Sequence, residues 1–183
     1  MTAPGMKRVN QSGRSTGRIK PHKNGRIDGP FIQHSNELLA SPAWGVLKLT
    51  DRRLLDRLEV EHMAHGGMEN GNLICTYSDF EKFGVRRASI SAGLKRLQAL
   101  GLIEIVEPGR LIAGEFRCPT KYRITYVTGN IPATNEWRKI SSNEVAQDRK
   151  LSAVQRIKKS NQKQITGRGN ATGTGRKNAS AIQ

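Results

Sequence analysis

Large aliphatic side chains recur at Ile90, Leu94, Leu97 and Leu100, a spacing of four, three and three that lays one buried stripe along a helix over residues 86 to 100. Gly101 follows the last of them, where a glycine caps a helix C-terminus, and Leu102-Ile103-Glu104-Ile105-Val106-Glu107 then begins a strand of period two. Upstream, Thr76 and Asp79 have capping-box spacing for a short helix, with Cys75 and Phe80 at hydrophobic-staple positions and Phe80 and Phe83 expected in the core. Gly84 ends that helix, and Val85 alone separates it from the basic start of the next. So short a connection marks a helix-turn-helix.

The pattern continues on both sides. Pro108-Gly109 is a turn signal, with Arg110, Ala113 and Gly114 in the loop that follows. The return strand sets Tyr122, Ile124 and Tyr126 against Lys121, Arg123 and Thr125, one side apolar and the other polar or cationic. Pro119, taken as part of that strand, predicts an edge position because proline lacks a ladder donor. Ahead of the helix-turn-helix, Thr50 is expected to cap a helix whose Leu54, Leu55, Leu58 and Met63 cover the other two, with Leu49 and Leu54 as a staple. Ser41-Pro42-Ala43-Trp44 marks its approach, with Trp44 a core or lid aromatic. The helix ends near His65-Gly66-Gly67, and Asn70-Gly71 turns into a short strand at Leu73 to Cys75 that can pair with the return strand. The predicted fold class is α+β: a winged helix-turn-helix of three helices and a small antiparallel sheet, in about 85 residues, enough for one core.

Outside the apolar stripe of the second helix stand Arg86, Arg87, Ser89, Ser91, Lys95 and Arg96. Arginine donates two hydrogen bonds to guanine or clamps a phosphate, and serine hydroxyls suit phosphate or base contacts. Two arginines at a helix N-terminus oppose the helix dipole, which points to an anionic partner. Arg110 is the candidate contact from the wing, with Arg117 and Lys121 as backbone contacts.

The run Ala88-Ser89-Ile90-Ser91-Ala92-Gly93-Leu94, followed by Leu97 through Ile103, resembles the winged helix-turn-helix DNA-binding proteins of bacteria, of the MarR-like and GntR-like regulator types. It also resembles uncharacterised plasmid- and phage-borne alphaproteobacterial proteins. The resemblance spans residues 42 to 127 and implies duplex DNA binding. Two positions depart from it. Ala92 stands where such proteins often carry a polar contact residue, and Gly93 costs a helix interior about 1 kcal/mol unless a neighbouring element packs closely there.

The net charge of +16 is unevenly distributed. Residues 1 to 30 carry +6 and residues 128 to 183 carry +8, leaving +2 between them; within that middle, residues 31 to 81 carry −4 and residues 82 to 127 carry +6. The positive half is the helix-turn-helix and wing, the footprint expected of nucleic-acid binding. Three segments follow: an N-terminal arm over 1 to 30, a domain over 31 to 127, and a C-terminal tail over 128 to 183. Both tails are rich in Gly, Ser, Asn, Gln, Lys and Arg, and disorder is expected of them. Basic arms of this kind raise non-specific affinity by counterion release. In the C-terminal tail, Asn135-Glu136-Trp137-Arg138-Lys139-Ile140 offers an aromatic to pack back on the domain, and Val145, Leu151, Val154 and Ile157 form an imperfect stripe suggesting a helix over 142 to 160. That helix can dock on the core, pair with a second copy as a homodimer, or fold on DNA.

Other chemistries find little support. His62, His65 and Cys75 have partial metal-ligand spacing that no second ligand pair completes. Cys75 and Cys118 are expected as reduced thiols, neighbours across the small sheet at most. There is no phosphate-binding glycine loop with its lysine, no Ser/His/Asp arrangement and no carboxylate pair in an evident cleft, so neither catalysis nor a cofactor is expected. No long apolar run suggests a signal or membrane anchor, and a cytoplasmic, nucleoid-associated location is expected. The sequence predicts a double-stranded DNA-binding transcriptional regulator reading the major groove with the helix over 86 to 100. A plasmid or phage replication factor binding an origin is the first alternative, and an RNA-binding or architectural protein the second.

Overall fold

The computed structural model describes residues 29–111 and 117–169. The N-terminal arm before them, the tip of the expected wing with Ala113 and Gly114, and the end of the C-terminal tail lie outside the described residues.

The described residues form an α+β fold with six α-helices and a three-stranded antiparallel sheet. Two one-turn helices, α1 (Asn36–Leu39) and α2 (Pro42–Gly45), lead into α3 (Leu49–Ala64). Strand β1 (Leu73–Ile74), helix α4 (Tyr77–Lys82) and helix α5 (Arg87–Ala99) follow, then β2 (Ile103–Glu107). A small ribbon pairs β3 (Arg110–Leu111) with β4 (Arg117–Cys118), and β5 (Lys121–Ile124) returns to the main sheet. A 3-10 turn (Glu136–Lys139) and a long helix, α6 (Asn143–Gly169), complete the fold.

Local signals set most of these boundaries. The Thr76 hydroxyl accepts from the Asp79 N–H at 3.3 Å while the Asp79 carboxylate accepts from the Thr76 N–H at 2.8 Å, closing the expected capping box of α4. The Thr76 hydrogen bonds hold the Asp79 carboxyl below its ordinary pKa. Helix α3 begins two residues earlier than expected, with Lys48 rather than Thr50 at the N-cap and its N–H donating to Asp51 at 3.3 Å. Strand β5 is central, in the order β1-β5-β2, not an edge. Pro119 falls between β4 and β5, so its missing donor is not needed by the ladder. Asn70 latches this strand from the side: its side chain accepts from the Ile124 N–H at 2.9 Å and donates to the Ile124 carbonyl at 2.9 Å.

Leu54, Leu55 and Leu58 from α3, Phe80 from α4, Ile90, Leu94 and Leu97 from α5, and Tyr122 and Ile124 from β5 make the centre of the core. Phe83, expected there, is 37% exposed, because it occupies the C-cap of α4 where the chain turns away. The core also runs past residue 127: Trp137, Ile140 and Ala146 are buried in it. Ala146, Lys150, Ala153 and Val154 face inward along α6 at helical spacing, and α6 packs on α5 and α2. The Lys150 ammonium donates to the Val46 carbonyl at 2.7 Å, and burial lowers its pKa. The expected aromatic at Trp137 thus packs back on the domain, and the helix expected over 142 to 160 lies within α6. Of the three destinations open to this helix, the structure shows docking on the core.

Close approach explains Gly93. A methyl group there would lie 2.3 Å from Leu54 Cδ1 and 3.3 Å from Asp51 Oδ1, both on fully buried residues of α3. Its poor helix propensity is offset by the contact of α3 with α5.

Candidate nucleic-acid interface

Helix α5 projects from the turn Phe83-Gly84-Val85, which Arg53 of α3 braces by donating to the Gly84 carbonyl at 3.0 Å. With Ile90, Leu94 and Leu97 inside, Arg87, Ser91, Lys95 and Gln98 remain exposed at spacings of four, four and three, a single stripe along the helix. Arg86 is exposed at the N-cap, and Ser89 is half-buried beside the stripe. Gln98 was not among the expected site residues. Its membership of the stripe follows from helical spacing alone, and its Oε1 lies 3.4 Å from Lys95 Nζ.

Arg96 does not belong to this surface. It is 7% exposed and grips Asp51, itself fully buried, through Nε at 3.0 and 3.1 Å and Nη2 at 2.5 Å. The physical reason is the cost of burying Asp51 at the start of α3: a two-pronged guanidinium neutralises the carboxylate and satisfies its lone pairs. Arg96 thus joins α5 to α3 and is withdrawn from the nucleic-acid candidates.

The remaining cations are arranged as follows. The Arg87 guanidinium lies 2.7 Å from the Glu81 carboxylate and 5.6 Å from the centre of the Tyr77 ring. Lys121 pairs with Glu107 at 3.1 Å across the β2–β5 ladder. Arg117 lies in β4 opposite Leu111; its side chain is outside the described residues. Arg110 opens β3 and is exposed. No carboxylate of the described residues is within ion-pair distance of Arg86 or Lys95.

A cleft of about 670 Å³ lies between the start of α4, the first turn of α5 and the β3–β4 ribbon. Arg87 and Arg110 both line it, with Tyr77, Ser78 and Thr120 between them. Two arginines placed 23 residues apart in the sequence are thus brought to one surface recess. A cleft of similar size, about 640 Å³, at His62, Met63, Met68 and Tyr126 has no Lys or Arg among the described residues that line it, so it suits a polyanion far less.

Both cysteines are free. They line the same cleft as the arginines, but burial pushes the Cys75 thiol up to about 12, away from thiolate chemistry. His62 is buried, with its Nδ1 unpartnered, and burial lowers its pKa. His65 instead contacts Glu61 at 3.2 Å. Among the described residues no three His, Cys, Asp or Glu side chains are grouped to hold a metal ion, and no helix is long and apolar enough to cross a membrane.

Comparison of the chain with protein-family models, with curated proteins and with solved structures finds no match.

Proposed function

We propose that this chain is a winged helix-turn-helix protein that binds double-stranded DNA and acts as a transcriptional regulator without a cofactor. In this reading α4 and α5 are the helix-turn-helix pair, α5 enters the major groove, and the β3–β4 ribbon is the base of the wing. The observation that carries it is the exposed stripe Arg87, Ser91, Lys95 and Gln98, whose first member shares a cleft with Arg110. A duplex lying on the stripe meets hydrogen-bonding side chains over three helical turns and a second cation from the ribbon. Base edges are read by the stripe, and backbone phosphates are held by Arg86, Arg110 and the basic tails.

The test is selection from a randomised duplex pool at two salt concentrations with the full chain. Residues 31 to 127 alone would cut away the buried Trp137 and are a poor choice. An enriched motif that Arg87→Ala alters at one or two positions supports the reading, at about 1–3 kcal/mol per lost base contact. Retention without any motif, or preference for structured RNA in competition, overturns it.

A further inference from the structure

We infer that Glu81 is a positioning residue that reserves Arg87 for a neutral base and withholds it from phosphate. The inference rests on the DNA-binding reading above and assigns within it how the first residue of the stripe discriminates.

Arg87 is 63% exposed, with four methylene and guanidinium torsions and nothing in its own helix to fix them; a guanidinium so placed would ordinarily take whichever anion came near. Two groups of α4 hold it instead. The Glu81 carboxylate takes an N–H of Nη1 at 2.7 Å, and the Tyr77 ring lies under the guanidinium at 5.6 Å. With one edge bonded and one face covered, the guanidinium keeps its remaining N–H donors for a partner. Guanine O6 and N7 are neutral acceptors that can use them without displacing Glu81. A phosphodiester is an anion, and to reach the same donors it must approach the Glu81 carboxylate, which like-charge repulsion disfavours. The carboxylate therefore lowers non-specific affinity more than specific affinity, which is discrimination by a built-in repulsion. As an exposed pair it adds little to folding stability, so its replacement leaves the fold in place.

Glu81→Gln keeps the shape and an acceptor oxygen and removes the charge. Full-length wild type, Glu81→Gln, Arg87→Ala and the double variant are titrated with the selected duplex and with a random-sequence duplex over a range of salt concentrations. Expected for Glu81→Gln are tighter binding to random duplex, a salt slope steeper by about 0.9 as one more phosphate is contacted, and a roughly tenfold fall in the ratio of selected to random affinity. In the Arg87→Ala background the same substitution should leave the slope unmoved. The inference is overturned if the ratio is unchanged, or if the gain persists without Arg87, since Glu81 would then act only as a background charge. Wild type that retains no duplex at all sinks the DNA-binding reading itself; wild type that binds, with an unmoved ratio in Glu81→Gln, sinks only the role of Glu81.

Discussion

Replacing Arg96 with alanine separates a structural arginine from a DNA-reading one. The substitution leaves the Asp51 carboxylate fully buried without the three contacts, at 3.0, 3.1 and 2.5 Å, that neutralise it. Breaking one side of a buried ion pair costs about 3–5 kcal/mol. Replacing both partners with apolar residues, as in Asp51→Leu with Arg96→Met, removes the stranded charge and restores packing. What is still lost is the acceptor for the Lys48 N–H at 3.3 Å, a helix-capping contribution of about 1 kcal/mol. The double variant should therefore be about 2–4 kcal/mol more stable than the single one. Urea unfolding followed by far-ultraviolet circular dichroism measures both values. The salt slope of duplex binding by the double variant then settles the functional side. It should match wild type, because Arg96 faces α3 and contacts no phosphate. A double variant no more stable than Arg96→Ala would refute the energetic argument, and a slope shallower by about 0.9 would return Arg96 to the interface.

Gly101 has φ +67° and a methyl group there would lie 2.7 Å from the backbone carbon of Glu136, so Gly101→Ala adds a clash to a left-handed conformation and should cost about 2–4 kcal/mol in urea unfolding. At Gly84, φ +85°, the nearest atom is the mobile Arg53 guanidinium at 3.2 Å, so Gly84→Ala should cost only the conformational part, about 1–2 kcal/mol; equal costs would mean that the 3-10 turn does not dock at the end of α5. Trp137→Ala should lose about 3–5 kcal/mol by the same assay, and a loss below about 1 kcal/mol would put the C-terminal segment outside the core. Burial holds His62 below its ordinary 6.5, with the Glu59 charge opposing, so the folded chain binds this proton less readily than the unfolded one. The stability it contributes is complete above pH 6.5 and falls as the pH drops from there toward the lowered folded value. His62→Gln should flatten the stability profile across that interval, and an unchanged profile contradicts the assignment.

Much of the stretch from α4 to β5 was legible because its signals are local. The Thr76–Asp79 box, the stripe from Ile90 to Leu100, the stop at Gly101 and the alternation around Tyr122 each lie within one element, and each recurs in the structure. Contacts across long separations were not legible. Arg96 falls among exposed-looking polar residues in the sequence, and nothing nearby shows that a buried carboxylate 45 residues earlier claims it. Phe83 looked like core because its spacing from Phe80 fits a helix that had in fact already ended. Gly93 looked like a weakness until α3 supplied the contact that requires it. The inward face of α6 was obscured because Lys150, a cation, stands among Ala146, Ala153 and Val154. Arg86, Arg87, Ser91, Lys95 and Arg110 are exposed as expected.

The docking of α6 also sets where the C-terminal charge begins. After Val154 the helix carries Arg156, Lys158, Lys159, Lys163 and Arg168 with no acidic residue through Gly169. Were this cationic run tethered at residue 127 by a flexible chain, it would sweep a coil of roughly 5–6 Å times the square root of the tether length. Instead it leaves from a helix that packs on α5 and α2, with Ala146 in the core and Lys150 bonded to the Val46 carbonyl. Should the run reach a duplex held on the exposed stripe, that second attachment would be intramolecular, and the two would act as one bivalent grip.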